Sequence, residues 1–403
     1  MKYIVRFILK KLAKKLLKKH NPKVVAVTGS VGKTTTKDAI YHVLNSCEDL
    51  KIITNAGNYN NEFGIPLTIF QERPARGAFA WIALVLRCVK KVVFLKEYAD
   101  VLVLEMAADS PGDIVYLARI AQPDIALVTN VERVHLHHYS SIDELAHEKS
   151  TLIHMCKKDG IVLVNYDNKH TRKMMQIVGN RTLYTFGLDR EAEVKAFDIE
   201  NTTLGLKFKV SYNDEVTAIK MPHVIGKHNA YTIMPIFPIA KHFGISAKEV
   251  SNALKTFKLP RGRMDLVAGT NDSYLIDSTY NAEPASMKAA ITTLKDFPEG
   301  KRRVAVVGDM LELGPLEEKS HREIGQYLKE SRIDLIFFVG PKMKWAVDEL
   351  ESSRRDYARM FFHFKDSFEA AKEIALKIKK DDVVLVKGSR GMMMERVIHR
   401  LSK

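Results

Sequence analysis

Six consecutive residues, Gly29-Ser30-Val31-Gly32-Lys33-Thr34, carry the densest chemical signal in the chain. Small residues let backbone N–H groups curl around an anion, and a following helix points its positive end at it. A lysine at the place of Lys33 can reach β- and γ-phosphates, and a hydroxyl at the place of Thr34 can hold Mg²⁺. The first glycine stands two residues closer than in the longer form of such a loop, yet every working part is present. Gly29, Ser30, Val31, Gly32, Lys33, Thr34 and Thr35 are therefore candidates for binding nucleotide phosphates, against the plainer reading of a glycine-rich turn. Glu105 closes the apolar run 101–104. The carboxyl end of a strand is where α/β sheets collect ligands, so a carboxylate there suits Mg²⁺. Read plainly, it is an acid at a helix start. His135 follows the run 125–130 in a similar position and serves either a metal or phosphate role or a structural one. The adjacent His137 and His138 point apart and read as surface or packing residues. Lys149 falls inside a predicted helix, where a lysine is ordinarily solvated.

These residues need a scaffold. The run 24–27 predicts a strand feeding the loop, and 34–44 a helix leaving it. Strands over 101–105, 125–129 and 161–165 alternate with helices over 114–120 and 142–155. That rhythm implies a largely parallel sheet with helices on both faces. From 182 to 222 short alternating segments such as 206–212 suggest a small antiparallel insertion, and a helix starts near Asn229. Residues 259–262 read as a linker. Strands over 273–276, 303–307, 335–339 and 383–386 follow, with a helix over 320–329 among them. The expected fold is α/β: a short basic N-terminal helix (1–22), a central P-loop ATPase-type parallel-sheet domain (23–259) and a C-terminal Rossmann-like domain (260–403). Residues 78–96 are apolar but interrupted by Arg87, which predicts a buried or surface-amphipathic helix and not a membrane span.

Charge is unevenly placed. The total is +15, and residues 1–20 hold Lys2, Arg6, Lys10, Lys11, Lys14, Lys15, Lys18 and Lys19, with no acid before Asp38. Removing these eight from +15 leaves +7, a mild excess that does not call for a nucleic-acid partner. No basic stripe interleaved with aromatics occurs elsewhere. Ile4, Ile8, Leu12 and Leu16 recur at helical spacing. Two placements of this helix are open: flat on an anionic membrane surface, or packed by its apolar stripe on the domain behind it. Cys47, Cys88 and Cys156 fit no metal-ligand spacing, so a reducing cytoplasm is expected.

Nine segments together resemble the Mur ligase family, in its order, from about residue 23 onward. They are TGSVGKTTTK (28–37), NYNNEFGIPLT (58–68), EMAADSPGDIVYL (105–117), PDIALVTNVERVHL (123–136), GKHNAYT (226–232), GRMD (262–265), DSTYNAEPASMKAA (277–290), GDMLELG (308–314) and KGSRGMMMERV (387–397). The last three favour the branch that adds D-alanyl-D-alanine. The shortened phosphate loop is the form this family uses. The resemblance implies an ATP-dependent amide ligase of peptidoglycan synthesis, acting on UDP-N-acetylmuramoyl-tripeptide through an acyl phosphate. It also implies a cytoplasmic monomer using ATP and two Mg²⁺ ions.

By the same resemblance, Lys33 offsets phosphate charge, Thr34 and Glu105 serve one metal, and His135 serves the second. Lys149 matches a lysine that relatives carry as a metal-binding carbamate. Asn229 matches the adenine contact, with His228 beside it. Arg263 matches an arginine that reaches the ATP phosphates, Asp277 lies in the segment that meets the ribose, and Tyr280 and Asn281 complete that motif. Lys387, Ser389 and Arg390 match the motif near the incoming amine. Asn60 and Asn61 match the loop approaching the nucleotide-sugar, though alone they would read as a turn. A hinge is expected near 260–263. Two departures stand out. Asp277-Ser278 replaces the usual pair of acids. Relatives also carry, before the phosphate loop, a uridine-binding domain of roughly one hundred residues, which twenty residues cannot hold. Alternatives are thus a Mur-type ligase for another carboxylate, such as a cofactor precursor or lipid-linked intermediate, and a non-catalytic P-loop binding protein. Joint retention of Lys33, Glu105, His135 and Lys149 speaks against the last.

Overall fold

Apolar runs without alternation form strands covered on both faces. In this computed structural model, which describes residues 2–56, 59–132, 139–202, 204–222, 224–298, 302–351 and 360–403, six strands build a parallel sheet whose central four are such runs. They are β1 (Lys23–Thr28), β2 (Ile52–Thr54), β3 (Val101–Glu105), β4 (Ile125–Val128), β5 (Ile161–Asn165) and β6 (Thr182–Gly187). Their order is β2-β3-β1-β4-β5-β6. The sheet continues through β7 (Val194–Thr202), β8 (Gly205–Tyr212) and β9 (Glu215–Pro222) to nine strands. Two-residue connections between neighbouring strands permit only antiparallel pairing, so β7, β8 and β9 form the expected antiparallel meander. It is not a separate insertion, however. β6 runs parallel to β5, and β7 adds to it at Phe186↔Val194, so the meander extends the main sheet.

The second sheet comprises β10 (Asp265–Ala268), β11 (Tyr274–Ser278), β12 (Arg303–Gly308), β13 (Leu335–Val339), β14 (Met360–Phe364) and β15 (Val383–Lys387). Its order is β10-β11-β15-β12-β13-β14, parallel except for β10 at one edge. This is the expected Rossmann-like α/β arrangement. By internal contacts the chain divides into one unit of Met1–Phe197, Lys209–Ile219 and Ala230–Leu254, and another of Asp198–Phe208, Lys220–Asn229 and Lys255–Lys403.

Six helices matter most in the first unit: α1 (Lys2–His20), α2 (Lys33–Leu44), α3 (Gly64–Phe70), α4 (Ala78–Phe94), α5 (Asp113–Ala118) and α6 (Ile142–Met155). The structure decides the placement of α1's apolar stripe. Leu9, Ala13 and Leu16 are fully buried in one core cluster with Ile65 and Leu67 of α3 and Leu84 and Cys88 of α4. Of the expected stripe, Leu16 is fully buried and Leu12 packs against the same core, whereas Ile4 stays 60% exposed, so protein covers the C-terminal part of the stripe. Among the described residues no helix is long and apolar enough to cross a membrane.

Leu16→Ala is expected to cost about 2–5 kcal/mol of unfolding free energy through lost burial and a residual cavity. Lys14→Ala, on the exposed side, should stay within about 0.5 kcal/mol of the parent. Urea denaturation measures both.

Candidate active site

β1 ends at Thr28 and the chain turns at once. Gly29 has φ +146°, and a Cβ there would lie 1.9 Å from the Thr129 hydroxyl oxygen, so only glycine fits. Gly32 has φ +83° and stands as the N-cap of α2. It supplies no capping side chain, and the first turn of α2 carries no acid. The amides of that turn are thus not taken by a cap, and the helix dipole adds to their pull on an anion. The end of β4 supports the loop from the other side. Asn130 Oδ1 accepts from Val31 N at 2.8 Å, its carbonyl accepts from Ser30 N at 2.9 Å, and Thr129 Oγ1 donates to the Val31 carbonyl at 2.7 Å. Lys33 Nζ folds back to donate to the Ser30 carbonyl at 3.1 Å. Thr35 is buried in the helix behind.

Strand register brings the carboxylate to this loop. Val27 of β1 faces Glu105 of β3. Glu105 is 2% exposed, and both its carboxylate oxygens are met by neutral donors: Oε2 by Thr34 Oγ1 at 2.7 Å, Oε1 by Asn60 Nδ2 at 3.0 Å. Asn55, whose part the sequence did not reveal, clamps the Glu105 backbone in both directions. Its Oδ1 accepts from Glu105 N at 2.8 Å and its Nδ2 donates to the Glu105 carbonyl at 3.2 Å. Asn61 does a different job from Asn60. Its Oδ1 accepts from Gly64 N at 2.9 Å, starting α3. A hydroxyl beside a carboxylate is a hard-oxygen donor set of the kind Mg²⁺ takes alongside substrate phosphates. His135, together with His137 and His138, lies outside the described residues.

Lys149 comes to the loop from α6. It is 3% exposed, and its Nζ donates to the Gly29 carbonyl at 3.0 Å. Desolvation, then the positive charge of Lys33, lower its pKa to about 7. The plain expectation of a solvated lysine does not hold here. Its neighbour Glu148 accepts from the Gly112 and Ile114 amides at 2.9 and 2.8 Å, which fixes the start of α5.

In the second unit, β11 and β15 lie side by side, with Ser278 facing Lys387. Lys387 is 4% exposed, and its Nζ donates to Ser278 Oγ at 3.1 Å and to the Asn281 carbonyl at 2.8 Å. Burial lowers its pKa to about 8, outweighing the opposing pull of Glu283. The serine that departs from the usual acid thus gives this ammonium a neutral acceptor. Ser389 Oγ accepts from Leu311 N at 2.8 Å and donates to the Ala282 carbonyl at 3.2 Å. Asp277 Oδ1 accepts from Thr279 Oγ1 at 2.7 Å. Tyr280 is flanked by two guanidiniums, Arg263 at 4.1 Å and Arg390 at 5.4 Å from its ring centre. Asn229 is buried and donates from Nδ2 to the Ile225 carbonyl at 2.7 Å. Desolvation and then the Lys387 charge lower the His228 pKa to about 4, so its imidazole is neutral near pH 7. Asp309 and His321 shape the 308–314 motif through contacts that no local pattern announces. Asp309 Oδ1 accepts from Met343 N at 2.8 Å, and His321 Nε2 from Met310 N at 3.1 Å.

Two family models match the chain: the Mur ligase middle domain over residues 27–235 and the Mur ligase glutamate ligase domain over 262–390. The UDP-N-acetylmuramoyl-tripeptide–D-alanyl-D-alanine ligase of Bacillus subtilis is 30% identical over 394 residues, 98% of this chain and 79% of that protein. The ligase of the same name from Haemophilus influenzae is 30% identical over 98% of this chain and 80% of its own. Among solved structures, the MurF ligase of Thermotoga maritima in complex with ADP superposes with a TM-score of 0.80 at 28% identity, covering 98% of this chain and 83% of that one. With the middle-domain model spanning more than half of its length, the chain belongs to the Mur ligase family.

Proposed function

We propose that this protein is an ATP-dependent ligase that joins D-alanyl-D-alanine to UDP-N-acetylmuramoyl-tripeptide in peptidoglycan precursor synthesis. The observation that carries the reading is the contact of buried Glu105 with Thr34 and Asn60 at the mouth of a phosphate loop. It occurs in a chain aligned over 98% of its length with ligases of that name. A carboxylate is a poor electrophile, and oxide a poor leaving group. Transfer of the γ-phosphoryl group of ATP gives an acyl phosphate and ADP. The amine then adds to the carbonyl carbon, loses a proton, and phosphate departs as the amide forms.

The first step brings two anions together. The α2 amides and Lys33 lower that repulsion and stabilise charge on the transferred group. Thr34 and Glu105 would hold one Mg²⁺, and His135 a second. Bound there, the metal supplies further charge stabilisation. Lys149 near neutral pH has a share of free amine, and that nitrogen can add to CO₂ with loss of a proton, turning a cation into a metal-binding anion. Asn229, His228 and Asp277 fall to the adenosine, Arg263 to the phosphates, Lys387, Ser389 and Arg390 to the incoming dipeptide, and Asn60 to the nucleotide-sugar side.

Incubation with ATP, Mg²⁺, D-alanyl-D-alanine and UDP-N-acetylmuramoyl-tripeptide should release phosphate and form the amide. A panel of other carboxylates should not be ligated, and a preference for one of them would reassign the acceptor. Lys33→Ala should lower turnover by about a hundredfold or more. Glu105→Gln should raise the Mg²⁺ concentration for half-maximal rate by about tenfold or more. With Lys149 titrating near 7, its reactive amine is present above that pH and is lost as pH falls below it. Activity should therefore depend on bicarbonate and decline on the acid side. Full activity of Lys149→Ala in CO₂-free buffer would remove the carbamate from the mechanism.

A further inference from the structure

α4 carries apolar residues on two sides, with Arg87, Lys90 and Lys91 between them, and an apolar side turned away from the core calls for a cover of protein or lipid. Its inner residues Leu84 and Cys88 are fully buried, with Trp81, Val85 and Val92 packed beside them. On the opposite side Phe79, Ile82, Leu86, Val89 and Val93 follow one another at helical spacing, with exposures of 89, 56, 64, 40 and 58%. Single exposed apolar residues are ordinary; a contiguous stripe of five is a docking surface. α1 lies alongside. Lys19 Nζ donates to the carbonyls of Val92, Val93 and Leu95 at 3.2, 3.1 and 2.8 Å, tying the two helix ends together. Both helices bury their inner faces in one core, so their outer faces look outward together.

The charge around this stripe has one sign. On α1, Lys11, Lys14, Lys15 and Lys18 are exposed. Arg73 and Arg76 precede α4, and Lys90 and Lys96 stand at its far end, all exposed. The two acids that border the helix are already paired, Glu72 with Arg87 and Lys91, and Glu97 with Lys51. We propose that the outer face of α4 and the lysines of α1 form a peripheral docking surface for an anionic lipid bilayer. The apolar stripe enters the boundary between headgroups and acyl chains, and the lysines meet the anionic headgroups. Charge complementarity selects this occupant. A second copy docked through the same two-fold face would set one row of lysines against another. Leu9, Ala13 and Leu16 of α1 belong to the core, and α4 supplies the main insertion. This proposal does not depend on the identity of the ligase substrates.

Co-sedimentation of the full chain with vesicles tests it. Binding is expected to phosphatidylcholine mixed with phosphatidylglycerol, to be absent with phosphatidylcholine alone, and to weaken as salt rises. Leu86→Glu/Val93→Glu should reduce the partition coefficient by about tenfold or more, as should Lys14→Glu/Lys15→Glu/Lys18→Glu. All five positions are exposed and outside the candidate active site, so ATP turnover and the unfolding midpoint should be unchanged. Three results would overturn the proposal. One is no binding of the parent chain to the mixed vesicles. Another is undiminished binding by the α4 variant, which would leave a purely electrostatic contact. The third is a concentration-dependent dimer in sedimentation velocity that the α4 variant abolishes, which would give the face to a second copy.

Discussion

A carboxylate that is 2% exposed is tolerable only if its oxygens are satisfied. Glu105 meets that condition through Thr34 and Asn60, and much of the first unit follows from it. Thr34 is available because α2 begins immediately after the loop. Asn60 is available because Asn61 beside it starts α3 and holds the local chain. The strand order β2-β3-β1-β4 puts the carboxylate on one side of the loop and Asn130 on the other. Lys37, buried in α2, donates to the Asn55 carbonyl at 2.5 Å, and Asn55 in turn clamps the backbone of Glu105. The sheet therefore positions the site by register, and the loops add little freedom.

What could be read beforehand was what local chemistry dictates. β3 (Val101–Glu105), α6 (Ile142–Met155) and β5 (Ile161–Asn165) fall where the apolar runs and periodicity place them. Gly29 and Gly32 were legible because a tight turn into a helix demands positive φ. Asn55 and Asn130 were not legible, because an amide side chain finds its partner through tertiary packing that no neighbouring residue announces. The meander of β7 to β9 showed its alternation, but its attachment to β6 is a non-local pairing. α1 shows the same limit from another side. One amphipathic pattern serves a lipid cover and a protein cover equally, and only the presence of α3 and α4 beneath it separates the two.

The positive charge of the chain falls into two populations with different physics. Lys11, Lys14, Lys15, Lys18 and Lys19 of α1 are exposed, so each acts through a field that salt screens within roughly 8 Å, and their worth lies in number and arrangement. Lys37, Lys149 and Lys387 are almost wholly buried, where a single ammonium must be held by specific oxygens. Lys37 has Asp38 at 2.7 Å as well as the Asn55 carbonyl. Lys149 and Lys387 are held by neutral oxygens instead, Gly29 for the first and Ser278 and Asn281 for the second. Neutral oxygens do not recover the full desolvation of a cation, which is why these two pKa values fall to about 7 and about 8. A lysine left in that condition is stabilised by any anion that arrives. A neutral amine at Lys149 is what the proposed carbamate requires, and an anionic ligand near Lys387 would restore the charge that burial weakens there. The excess on α1 is spread over exposed side chains, and the sparse charge inside is held in place by specific oxygens.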